Sequence, residues 1–157
     1  MTLPVSIIIV SRGRPAALMR CLNGVGQLDY APFEVIVVAC PAGADATVTR
    51  SDAARIKLIR YDLANISAAR NLGIAAAAGD VAAFIDDDAV PEPLWLRHLT
   101  GPFADPQVAC AGGYVLGRNG ISFQWKAHSV DHTGRATPLQ IDETQSTVLT
   151  PPAGQAI

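Results

Sequence analysis

Val5-Ser-Ile-Ile-Ile-Val10 is a continuous, mostly β-branched run of strand length, and Ser11-Arg-Gly-Arg-Pro15 follows it directly. Beyond Pro15 the apolar positions fall at Leu18, Cys21, Leu22, Val25 and Leu28, the spacing of an amphipathic helix. A strand that is apolar on both faces and leads into such a helix opens a βα unit. Pro15 sits where the first helical turn tolerates it, because the missing N–H has no intrahelical partner there.

The same pattern recurs outward from this unit. Phe33 to Cys40 reads as a second buried strand, broken at Pro41-Ala-Gly43, and Asp45 to Ala54 as a short helix. Ile56 to Arg60 reads as a third strand. Asn65 is placed to cap a helix over Ile66 to Ala78 that Gly79 stops. Val81-Ala-Ala-Phe-Ile85 is the fourth strand, ending in Asp86-Asp-Asp88; Pro91-Glu-Pro93 then opens a helix through Trp95 to Leu99. The Pro102 to Pro106 turn leads to a fifth strand, Val108 to Leu116. Apolar strands alternating with helices imply an α/β fold with a mostly parallel sheet covered on both faces. Ligands of such sheets bind at the carboxyl ends of the strands, here Ser11 to Arg14, Cys40 to Gly43 and Asp86 to Asp88.

The chain has 157 residues, 50% hydrophobic and 17% charged, enough for one core without disulfide or zinc staples. Twelve Lys+Arg against fourteen Asp+Glu give a net charge of −2 with no long run of either sign, which argues against a general nucleic-acid binder. Cys21, Cys40 and Cys110 are odd in number, far apart and set among apolar residues, so they read as buried thiols of a reducing cytosol. No apolar run reaches the ~18 residues of a membrane span, and Val5 to Val10 lacks the basic leader of a signal peptide.

The triplet Asp86-Asp-Asp88 is the strongest chemical signal. Side chains two apart on an extended segment face the same way, so Asp86 and Asp88 point to one side of the strand end. Neighbouring carboxylates repel unless a cation or donors offset the charge, and hard oxygen ligands favour Mg²⁺ or Mn²⁺ with substrate phosphates completing the shell. The bland alternative, a carboxylate capping the next helix, explains one Asp and not three. Arg70, set among small residues in Ser67-Ala-Ala-Arg-Asn-Leu-Gly-Ile74, can reach an anionic ligand, or can be a surface arginine paired with Asp80 or Asp62. Ser11-Arg12-Gly13-Arg14 lies between a strand and a helix N-terminus, where an anion can dock; a solvated basic turn reads equally well. His98, His128 and His132 have no partnering Cys or carboxylate pattern, which leaves no zinc signature.

In this order and spacing, the chain resembles family 2 glycosyltransferases, inverting enzymes with a GT-A fold. The resemblance rests on Val5 to Pro15, on Phe33-Glu-Val-Ile-Val-Val38, and most sharply on Ile66-Ser-Ala-Ala-Arg-Asn-Leu-Gly-Ile74 with Ala78-Gly-Asp80 and Phe84-Ile-Asp-Asp-Asp88. It implies transfer of a sugar from a nucleoside-diphosphate donor to a carbohydrate or lipid-linked acceptor, in the cytoplasm or at the inner face of the membrane, in bacterial polysaccharide assembly. It also implies a DxD motif in which Asp86 and Asp88 hold Mg²⁺ or Mn²⁺, with Ser11, Arg12, Arg14, Arg70, Asp86 and Asp87 on the donor nucleotide. Two departures stand out. Where many members carry an acidic pair after the second strand, this chain reads Ala39-Cys-Pro-Ala42, so the donor base is not carried over. No motif surrounds Asp131, Asp142 or Glu143, so none is assigned as the general base.

Residues 1–116 are expected to form the donor-binding α/β region and 117–157 the start of a β-rich or irregular acceptor side, too short for the whole reaction. Two other readings compete. One is a haloacid-dehalogenase-type Mg²⁺-dependent phosphatase with Asp86 as nucleophile, which would need a later lysine and acidic pair; the other is a non-catalytic nucleotide-sugar-binding module.

Overall fold

A computed structural model describes residues 2–40, 56–113, 115, 128–130 and 136–138. The chain divides into two compact units, Met1–Leu96 and Arg97–Ile157. In the first, β1 (Val5–Ser11), β2 (Phe33–Ala39), β3 (Ile56–Arg60) and β4 (Val81–Asp86) form a four-stranded sheet of order β3-β2-β1-β4. Every pairing is parallel, with Val5 beside both Phe33 and Val81, and Val10 beside Val38 and Asp86. This is the expected α/β class.

Among the described residues two helices cover the sheet, α1 (Pro15–Val25) and α2 (Ile66–Ala76). The chain steps outward from β1 to β2 and β3, then crosses back over β1 to reach β4. Right-handed crossovers running in opposite directions lie on opposite faces, which puts α1 on one side and α2 on the other. On the α2 face, Ala69 packs with Ile36 and Val38, flanked by Val10, Ile59, Tyr61, Ala76 and Ala77. By strand alternation Ile7, Ile9, Val35 and Val37 turn to the α1 face, where Leu18, Cys21, Leu22 and Val25 are buried. Burial of Ile7, Ile8 and Ile9 stabilises the sheet by roughly 1.5–3 kcal/mol per side chain.

Close approach decides two glycines. A Cβ on Gly73 would strike Cγ2 of Ile8, so glycine lets α2 settle onto β1. A Cβ on Gly79 would lie 2.7 Å from Ser6 N, 2.8 Å from Val5 C and 2.9 Å from Pro4 O, all backbone. Gly79 is therefore needed by β1, and α2 ends earlier than expected, with Ala77 as its extended cap. At the other end Asn65 accepts from Ala68 N at 3.0 Å, the anticipated N-cap.

Several expectations are corrected. Residues 108–113 form no strand; five of the six are exposed or half-buried and the Gly112-Gly113 pair disfavours extended pairing. Cys21 is buried, but Cys40 is half-buried and Cys110 exposed. A short helix α3 (Trp95–Thr100) runs into a 3₁₀ turn at Gly101–Ala104. Of the β-like stretch from 121 to 130 only His128–Val130 is described as a strand, paired antiparallel with Ala136–Pro138. The helix anticipated over 45–54 lies outside the described residues, as do Trp125, His132, Asp131, Asp142 and Glu143. Among the described residues, no helix is long and apolar enough to cross a membrane.

Candidate functional site

Strand order reverses between β1 and β4, and the loops leaving their carboxyl ends are the place where such a sheet opens a crevice. After Ser11, Gly13 takes φ +66°, a left-handed conformation natural to glycine, and the chain turns into α1 with Pro15 at its start. After Asp86, Ala89 N donates to the Asp86 carbonyl at 3.1 Å and closes a turn around Asp87 and Asp88. Helix α3 begins only at Trp95, so none of the three carboxylates caps it and that alternative falls away.

The three carboxylates are in different environments. Asp86 and Asp88 are open, with 70% and 52% of their side chains exposed, whereas Asp87 between them is fully buried. Ser11 Oγ donates to Asp87 Oδ2 at 2.7 Å. Asp87 Oδ1 lies 2.6 Å from Arg14 Nη2, yet no donor is aligned on it as a hydrogen bond. Arg14 Nη1 donates to Asp88 Oδ2 at 3.0 Å. Arg70 Nη2 donates to Asp86 Oδ1 at 3.3 Å, and its guanidinium stands 5.9 Å from the centre of the Phe84 ring.

Arg70, Arg14, Ser11, Asp86, Asp87 and Asp88 thus come from three separate stretches into one cluster. Arg70 pairs with Asp86, not with Asp80 or Asp62. Arg12 is exposed and makes no ion pair among the described residues. Cys40 stands at the end of β2, its N–H on the Ser11 carbonyl at 3.3 Å; residues 41–43 lie outside the described set.

Two residues of α1, Cys21 and Gly24, support the turn through contacts that the sequence pattern does not reveal. Cys21 Sγ lies 3.6 Å from the Asp86 carbonyl, and burial together with the charges of Asp87, Asp88 and Asp86 pushes its thiol up to about 12. Gly24 gives Val90 and Pro91 their room, since a Cβ there would come within 2.7 Å of Val90 Cγ1. A glycine inside an otherwise helical stretch was the available signal for such an approach.

The donor set fits a hard divalent cation. Asp86 and Asp88 are two solvent-open carboxylates at one strand end, and three carboxylates against the two guanidiniums paired with them leave one negative charge uncompensated. Among the described residues no group of three or more His, Cys, Asp or Glu is arranged to enclose a metal. An ion held here would therefore complete its shell with water and phosphate oxygens.

The model of glycosyl transferase family 2 matches residues 6–154. The chain belongs to glycosyl transferase family 2. It is similar to the pre-mycofactocin glycosyltransferase of Mycobacterium tuberculosis, 31% identical over 154 residues, covering 92% of this chain and 31% of the relative. Similarity extends to the glycosyltransferase AglE of Haloferax volcanii, 32% identical over 126 residues, covering 73% and 40%. The chain thus spans about a third of the length of the curated relatives it matches.

Among solved structures, a mannosyltransferase from Pyrobaculum calidifontis in complex with GDP-Man and Mn²⁺ superposes with a TM-score of 0.65 at 20% identity, over 74% of this chain and 36% of that one. Residues 1–349 of S. aureus TarS in complex with UDP-GlcNAc give 0.58 at 19% identity, over 68% and 32%. The GT-A fold is shared with both. The family 2 match does not favour the phosphatase reading of Asp86.

Proposed function

We propose that this chain is the donor-binding portion of a family 2 glycosyltransferase, one that moves a sugar from a nucleoside diphosphate to a carbohydrate or lipid-linked acceptor with inversion at the anomeric carbon. The observation that carries it is the pair of solvent-open carboxylates, Asp86 and Asp88, flanked by Arg70 and Arg14 at the reversal of strand order. Neighbours of the same fold hold GDP-Man with Mn²⁺ and UDP-GlcNAc.

In this reading Asp86 and Asp88 hold Mg²⁺ or Mn²⁺. When bound, the ion neutralises the charge that develops on the departing diphosphate. Ser11, Arg12 and Arg14 form the wall along the nucleotide, with Asp87 holding that wall from beneath. Arg70, kept at the rim by Asp86 and the Phe84 ring, offers a guanidinium fork to the phosphates. Inversion requires a base on the acceptor hydroxyl, opposite the leaving group, and none of Asp131, Asp142 or Glu143 is given that role. The working location is the cytoplasm or the inner membrane face, in polysaccharide assembly.

Calorimetric titration of UDP, GDP and dTDP, with and without Mn²⁺ or Mg²⁺, tests the reading. One of the three binds only with the cation, and Asp88→Ala abolishes that binding. Binding that is indifferent to the cation removes Asp86 and Asp88 as its holders.

A further inference from the structure

Asp87 is the residue the proposed site does not expose. Its side chain is fully buried, so it reaches no ligand directly, yet both its oxygens are committed to the β1–α1 loop, one to Ser11 Oγ at 2.7 Å and one to Arg14 Nη2 at 2.6 Å. The same Arg14 extends its other nitrogen to Asp88 Oδ2 at 3.0 Å. One guanidinium is thus shared between a buried carboxylate and an open one. A buried charge without a partner is expensive, so the contact with Asp87 is the fixed one. The contact with Asp88, between side chains 54% and 52% exposed, is the exchangeable one.

Resting on the donor-site reading above, we propose that Asp87 is a positioning residue that tethers Arg14, and that Arg14 is the resident counter-ion of Asp88, displaced from it by the divalent cation and passed to the diphosphate. Arg14 and the cation compete for one carboxylate oxygen while no nucleotide is present. Once a diphosphate arrives they cooperate, because the tether keeps the released guanidinium beside it. Removal of Arg14 therefore has opposite effects on the two ligands, which loosening of the loop alone does not produce.

The test follows Mn²⁺ by electron paramagnetic resonance, with the metal alone and with the nucleoside diphosphate that binds best among UDP, GDP and dTDP. Arg14→Gln tightens binding of Mn²⁺ alone by about two- to fivefold, the range of an exposed ion pair. It weakens Mn²⁺-dependent nucleotide binding by about tenfold or more, as expected for a lost charge-assisted hydrogen bond. Asp87→Asn also weakens nucleotide binding, and Asp87→Asn/Arg14→Gln is no weaker than the worse single variant. Arg14→Gln leaves the buried Asp87 carboxylate without its cation, so circular dichroism checks the fold of both single variants, and Asp87→Asn/Arg14→Gln, which removes both charges together, reports even where a single variant unfolds. Unchanged or weaker binding of Mn²⁺ alone by Arg14→Gln overturns the exchange, and additive losses in the double variant overturn the tether. Wild-type protein whose Mn²⁺ signal is unaltered by Asp88→Ala overturns the donor-site reading itself.

Discussion

Arg70 on α2 and Asp86 at the end of β4 meet at 3.3 Å, and the Arg70 guanidinium leans toward Phe84, two residues before Asp86 on the same strand. The pair joins the helix that crosses back over the sheet to the strand it leads into. Both side chains are substantially exposed, at 42% and 70%, so the pair contributes little to stability. Its geometry leaves the Arg70 guanidinium open at the strand end, where the proposed diphosphate would dock.

Arg70→Ala is accordingly expected to separate binding from folding. Loss of a charge-assisted hydrogen bond, worth roughly 1.5–3 kcal/mol, weakens Mn²⁺-dependent nucleoside diphosphate binding by more than about tenfold. An exposed ion pair of ~0.2–1 kcal/mol leaves the melting temperature within about 4 °C of wild type. Calorimetry and thermal unfolding on one preparation read both quantities; a large fall in melting temperature would assign Arg70 to the fold instead.

Local signals in the sequence were legible where the chain's own neighbours decide the outcome. Pro15 at the head of α1, Asn65 as the cap of α2 and the four apolar strands all depend on residues close in sequence. The inward turn of Asp87 was not legible, because it is set by Ser11, 76 residues away. Gly79 shows the same division: from sequence it reads as a helix stop, whereas the structure requires it for the backbone of β1. The strand expected over Val108 to Leu116 had the right residues at its start, but an apolar run forms a strand only where another strand pairs with it.

Gly73 and Gly79 predict two substitutions of different severity. Gly73→Ala gains about 1 kcal/mol of helix propensity but drives a methyl into Ile8, a strain of typically 1–3 kcal/mol, so net destabilisation results. In an Ile8→Ala background the same change becomes neutral or stabilising, because Cγ2 is gone. Gly79→Ala meets only backbone atoms, which no rotamer change relieves, and destabilises more than Gly73→Ala. Urea unfolding of the four variants ranks them; a neutral Gly79→Ala would contradict the close approach.

The thiols should separate by reactivity. Cys21 is buried and pushed up to about 12 by burial and then by the three nearby aspartates, whereas Cys110 is exposed. At pH 8 a thiol with a pKa near 12 is thiolate in only about one molecule in ten thousand. Iodoacetamide followed by peptide mass spectrometry is expected to label Cys110 in the native protein and Cys21 only after denaturation. Rapid native labelling of Cys21 would mean that α1 does not seal the underside of the carboxylate turn.

Glu34 supplies a pH prediction with a defined sign. Its carboxylate accepts from Ser6 Oγ at 2.6 Å and from Ala78 N at 2.7 Å, while the Ser6 hydroxyl also accepts from Gly79 N at 2.9 Å. The Ser6 hydrogen bond first, then that of Ala78, hold Glu34 below its ordinary value of 4.5. A carboxyl depressed in the folded state binds its proton more readily when unfolded, so its stabilisation is complete above the unfolded value and is lost as the pH falls through the folded one. The bond network at the amino ends of β1 and β2 should therefore weaken below about pH 4.5. Glu34→Gln has no proton to take up, so the stability difference between it and wild type shrinks as pH falls from about 5 to 3. Chemical unfolding across that range measures it, and a difference that stays constant with pH would remove Glu34 as the titrating group.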